Sequence, residues 1–166
     1  MSMTNVLAAL IFGAIGILIG SLTFFFVHKY FEMQREIFST KREQLKYVFA
    51  PLEIMLKINS QQYDHYLHDD TSNEEREFIE KSIWYPNYIE IKTILMEEIY
   101  ILDKVPDELI TLLNFVNVWL SEYDLAYVKN TKEPPVFIRP KGNIYPAEVD
   151  NFIFRKAGEL RKLLSR

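Results

Sequence analysis

The chain has 166 residues, enough for one domain of ordinary size and a membrane segment. Its 49% hydrophobic content excludes a chain disordered throughout, and its net charge of −4 excludes a general nucleic-acid binder, which needs a net basic face. The absence of cysteine excludes disulfides, thiolate metal sites and a cysteine nucleophile, and fits a reducing compartment.

The first element is set by charge. No charged side chain occurs before His28 and Lys29, and Asn5 to Val27 is almost wholly apolar. Those residues make roughly 34 Å of helix, against about 30 Å of bilayer hydrocarbon. A cleaved signal peptide needs a basic start, a shorter apolar stretch and a small-residue cleavage site. Here Met1 to Thr4 is uncharged, and Phe24, Phe25 and Phe26 stand where cleavage would fall. An uncleaved transmembrane helix over residues 1–28 is therefore expected, with a cytoplasmic helical domain over 29–166. Lys29, Arg35, Lys41, Arg42 and Lys46 all follow the span. The positive-inside rule then places the N-terminus outside the inner membrane and the rest in the cytoplasm, single-pass. Tyr30 and Phe31 suit the interface, and Lys29 can snorkel to the head groups.

Three of the five glycines, Gly13, Gly16 and Gly20, lie inside this most apolar stretch. On a helix Asn5, Ala9, Gly13, Gly16, Gly20 and Thr23 follow at spacings of four, four, three, four and three, which keeps them on one face. Within lipid, helices associate by close backbone packing and cross-helix hydrogen bonds. This stripe is the candidate oligomerisation or pore face: the glycines admit a neighbouring backbone, and Asn5 and Thr23 can bond across. No charge lies in the span, which argues against a strongly ion-selective channel.

Beyond the span, Leu45, Val48, Phe49, Leu52, Met55 and Leu56 recur at helical spacing. Pro51 within that pattern predicts a kink or a fresh helix near "PLE". "HDDTSN" reads as a loop, with Ser72 or Asn73 capping a helix whose first turn is acidic. "EFIEKSIW" follows, and "YPN" is expected to break it. "YIEIKTILMEEIYIL" is the next helix, and "DKVPDE" a turn with Pro106 near the first helical position. "ELITLLNFVNVWLSEYDLAYV" is apolar on most sides and is expected at the bundle's centre, Leu109, Leu112, Leu113, Val116, Trp119, Leu120 and Tyr123 forming one face. Residues 129–146 hold four prolines and a glycine and read as a functional or packing loop. A final amphipathic helix turns Val149, Phe152, Ile153, Leu160, Leu163 and Leu164 inward. The fold class is all-α: one transmembrane helix followed by a four- or five-helix cytoplasmic bundle.

Catalytic signatures are sparse. In "DHYLHDD", His65 and His68 would share a side of a helix, with Asp64 and Asp69 near, a set that could hold a divalent metal. The commoner state of such residues at a polar helix end is solvated, and no metal or cofactor is assigned. There is no nucleophile elbow, P-loop or dinucleotide glycine loop. No arginine precedes a histidine at the spacing used by helical RNases of the HEPN type. An enzyme is not expected. Trp84, Tyr85 and Tyr88 read as corner packing more than as a recognition patch. The basic C-terminus (Arg155, Lys156, Arg161, Lys162, Arg166) is either a solvated face or a surface for acidic lipid or for Glu74, Glu75 and Glu77 of a neighbouring copy.

The N-terminal span, the basic helix "KREQLKYVFAPLEIML" (Lys41 to Leu56) and the helical remainder together resemble one family in layout. It is that of the small accessory membrane proteins of type VI-B CRISPR systems, which form ring-shaped pores. The resemblance implies a homo-oligomer in the lipid bilayer that perturbs the inner membrane when triggered, an antiviral defence effector. It carries over no catalytic residue. The alternative is a membrane-anchored adaptor that binds a cytosolic protein partner through the helical domain, with no nucleic acid involved.

Overall fold

A computed structural model describes residues 3–128, 136 and 144–165; the side chains of residues 4–12, 14 and 128 are outside that description. Among the described residues the chain is all-α, with no strand. Six α-helices follow in order: α1 (Met3–Glu43), α2 (Ala50–Leu67), α3 (Asn73–Ile79), α4 (Tyr85–Glu97), α5 (Asp107–Tyr123) and α6 (Glu148–Leu164). Wider π turns occupy Gln44–Phe49, Glu80–Trp84 and Asp124–Val128, and a 3-10 turn occupies Ile99–Ile101. The chain forms two compact units, Met1–Thr40 and Lys41–Arg166.

In the first unit α1 supplies, near the N-terminus, a helix long and apolar enough to cross a membrane. None of its described side chains from Met3 to Thr40 is buried. Ile17, Leu18, Ile19, Phe24, Phe25 and Phe26 all stand open. Such a surface is at home in hydrocarbon, where the backbone is satisfied within the helix and the side chains need no water.

The second unit is a helical bundle with its own core. Helix α5 packs against α4 and α6, α2 against α6 and α4, and α3 against α2. Its centre is aromatic: the Trp119 ring lies 4.7 Å from Tyr88 and 5.4 Å from Tyr123, and Tyr123 stacks on Tyr85 at 4.3 Å. Leu52, Leu56, Ile91, Leu95, Leu109, Leu112 and Ile153 close around them, fully buried. Each such side chain contributes about 1.5–3 kcal/mol by leaving water. Trp84 and Tyr88 belong to this core, so the aromatic run is packing.

The inward face expected of α5 is there, with two adjustments. Phe115 joins it, buried, while Leu113 is only partly covered. On α6, Val149, Phe152, Ile153 and Leu160 are buried, but Leu163 is exposed and Ala157 takes an inner place. The bundle ends one turn earlier than the apolar pattern does.

The prolines behave differently from expectation at one point. The break expected at "YPN" does not occur: α3, the π turn Glu80–Trp84 and α4 follow one another with no loop between them. A proline ring clashes with the carbonyl four residues back and has no N–H to bond it. The π turn widens the coil just before Pro86, and Tyr85 N–H bonds Glu80 O, five residues back. The same device precedes Pro51, where Ala50 N–H bonds Leu45 O and α2 begins. At both places a bulge absorbs the proline. Ser72 caps α3 as read and Pro106 is the N-cap of α5, but the helix expected to run to Leu102 ends at Glu97, with a 3-10 turn over Ile99–Ile101.

Candidate functional site

The helix α1 carries the candidate assembly face. Gly13, Gly16, Gly20 and Thr23 lie within one continuous helix and are exposed; Asn5 and Ala9 are on its backbone path, but their side chains lie outside the described residues. At about 100° per residue the six positions fall within an arc of about 80°. A β-carbon placed on Gly13, Gly16 or Gly20 would meet nothing within 4 Å. Among the described residues, nothing packed against these positions requires glycine. Thr23 is less available than its position suggests: its hydroxyl donates to Ile19 O at 2.8 Å, leaving only the oxygen to accept from a neighbour. Ser21, next to the stripe, likewise bonds back to Ile17 O at 2.9 Å and Leu18 O at 3.0 Å.

The bundle contains a polar centre that sequence reasoning missed. Glu80, at the start of the π turn, is fully buried. Tyr66 donates to its Oε1 at 2.6 Å, Tyr127 to Oε2 at 2.8 Å, and the Val136 N–H to Oε2 at 3.0 Å. A buried carboxylate costs several kcal/mol of hydration, so it persists only with donors of this kind. Burial and the adjacent carboxylate hold the Tyr66 and Tyr127 hydroxyls well above the usual tyrosine range. The centre joins α2, the α3–α4 passage, the turn after α5 and Val136. One signal could have found it: Glu80, Ile83 and Trp84 share a helical face, so Glu80 occupies a core position.

Residues 129–135 and 137–143, most of the expected loop, lie outside the described residues. Val136, the one described residue within 129–143, is buried and meets Glu80.

A second buried acid, Glu53 on α2, receives Lys57 at 2.7 Å and Arg161 from α6. The Arg161 hydrogen bond, helped by Lys57, holds the Glu53 carboxyl below its ordinary range despite burial. The basic C-terminal helix is thus partly committed within the chain, since Arg155 and Lys156 also bridge Glu159.

The histidine string does not assemble as the helix argument requires. Helix α2 ends at Leu67, and His68 is already extended, with ψ 137°. His65 and His68 are both exposed, and His68 lies 3.8 Å from Asp70. Among the described residues no group of three metal-ligating side chains converges.

Comparison with known protein families, with curated proteins and with solved structures finds no match for this chain.

Proposed function

We propose that this is a self-associating, single-span inner-membrane protein whose output is permeabilisation or depolarisation of that membrane, as an effector of phage defence. The observation that carries the reading is the row Gly13, Gly16 and Gly20, open on the exposed apolar helix with nothing among the described residues within 4 Å of a β-carbon placed there. Glycine weakens a helix in water by about 1 kcal/mol relative to alanine but is common in membrane spans, so it is the placement of all three on one face that supports the reading. Close approach of a like helix is a reason for that placement. The basic residues that follow the span favour an outer N-terminus and a cytoplasmic bundle. The defence role rests on the layout shared with the pore-forming accessory proteins named above.

The test is Gly16→Leu, expressed in cells and read with a potential-sensitive dye. A β-carbon at Gly16 meets nothing within 4 Å among the described residues, and the position is exposed, so the variant is expected to fold. Loss of depolarisation together with a smaller detergent-solubilised complex supports the reading. A variant that assembles and depolarises like the parent removes the face from the account.

A membrane-anchored adaptor is the second reading. It is favoured by the outer face of α5, where Ile110, Asn114, Val118 and Ser121 form an exposed stripe without charge. Replacing the span by an unrelated anchor separates the two: an adaptor keeps its function and a pore loses it.

A further inference from the structure

The spacing of the small-residue face does not stop at the end of the apolar span. Gly13, Gly16, Gly20 and Thr23 continue as Val27, Tyr30, Gln34 and Ile37, with steps of three and four alternating throughout. That is a seven-residue repeat, the period of a helix seam that follows a parallel neighbour. After residue 27 the small residues give way to bulky ones, and these stand open: Tyr30 is 56% exposed, Phe31 59% and Ile37 43%.

The charges confirm a face. Taking about 100° per residue, Val27, Tyr30, Phe31, Met33, Gln34, Ile37 and Phe38 fill one arc of about 160°. His28, Lys29, Glu32, Arg35 and Glu36 fill a separate arc of about 120°, with no overlap. The apolar arc is wider than the seam between two helices, which uses only the two central positions of each repeat. It suits a helix with a neighbour on either side. At the height of Met33 to Ile37 the arc is bordered by Arg35 on one edge and Glu36 on the other. Copies following one another round a ring therefore bring unlike charges together.

We propose that residues 27–38 form a parallel coiled coil of three or more copies of this chain, in register with the span. The occupant of the exposed apolar face is a second and a third copy, held parallel because every copy crosses the bilayer in the same direction. The proposal rests on the self-association reading above. Within it, the glycines allow close approach in lipid, and the juxtamembrane aromatic and aliphatic residues supply the hydrophobic burial that lipid cannot.

The chain's lack of cysteine makes the test direct. Single variants Tyr30→Cys, Ile37→Cys, Glu32→Cys and Ser39→Cys are made in the full-length protein, in membranes, and oxidised with copper–phenanthroline, with Gly16→Cys as a reporter for the span. The seam positions Tyr30 and Ile37 are expected to link copies at least tenfold faster than Glu32 and Ser39. The double variant Tyr30→Cys/Ile37→Cys, with two thiols per chain, should give a ladder beyond the dimer on oxidation. Equal rates at all four positions, or products that are not multiples of the chain mass, overturn the proposal. Linking at Gly16 without linking at Ile37 overturns it too while leaving the membrane face intact. Linking at Ile37 without Gly16 supports the juxtamembrane seam and removes the span from the contact.

Discussion

The two units of this protein treat large apolar side chains in opposite ways. In Lys41–Arg166 a core of them is covered by one another, although others such as Phe78 and Tyr100 stay exposed, and the buried Glu80 carboxylate is met by hydrogen-bond donors. Among the described residues of Met1–Thr40 they stand open, and the backbone is bare at three glycines. The bundle's stability is thus internal to its own unit, whereas the described residues of the first unit build no such core. Such an open surface suits a bilayer, where lipid covers it. Mutations in the two units should accordingly fail in different measurements.

The largest effect is expected at Glu80. Glu80→Ala leaves two tyrosine hydroxyls and the Val136 N–H facing an empty site, and should cost about 3–5 kcal/mol of bundle stability. Circular-dichroism melting of the full-length protein in detergent reads this, and the size of the solubilised complex should not change below the melting range. A variant that unfolds like the parent would break the contrast between the units.

Next comes Gly16→Leu, with the signs reversed. The melting of the bundle should stay as in the parent, while self-association weakens at least tenfold, or by about 1.4 kcal/mol. Analytical ultracentrifugation in detergent measures it. A change in melting with assembly intact would place the glycine's role inside the protomer.

Ser72→Ala should have a smaller, purely local effect. The hydroxyl accepts from Glu75 N–H at 3.1 Å, and the Glu75 carboxylate accepts from Ser72 N–H at 2.8 Å, a closed capping box. Its loss should cost about 1 kcal/mol, seen as a lower midpoint in urea.

The smallest expected effect concerns acid. Glu53 is held below its ordinary 4.5 by Arg161 and Lys57. The unfolded chain therefore binds that proton first as pH falls, so the pair's contribution is present above 4.5 and is lost as pH drops through the depressed value. Burial raises the Asp150 carboxyl, which works in the opposite sense and partly masks the trend. Arg161→Gln should flatten the acid limb of a stability-against-pH curve. An unchanged slope would show that the Glu53 pair does not couple folding to protons.

Much of the architecture was legible because its causes are local or periodic. The uncharged run to Val27, the acidic first turn behind Ser72, the apolar stripe of α2 and the crowded α5 each follow from spacing alone. The glycine face is legible for the same reason, although Thr23's hydroxyl turned out to be engaged by Ile19. Pro86 was misread because its rule concerns an ideal α-helix. Whether a helix breaks or bulges at a proline depends on what the flanking turns bury, here Glu80 and Trp84.

By itself, the amino-acid order determined that the chain is helical, that its first helix is long and apolar enough to cross a membrane, and that small residues line one side of that helix. Period and composition carry those facts, and neither needs a distant residue to be placed. Only the tertiary structure decided that an acid at position 80 lies at the centre, between tyrosines 14 and 47 residues away, and that Arg161 closes on Glu53 across 108 residues. A charge reads as surface in any sequence; it becomes interior only where chain segments far apart converge to supply its donors.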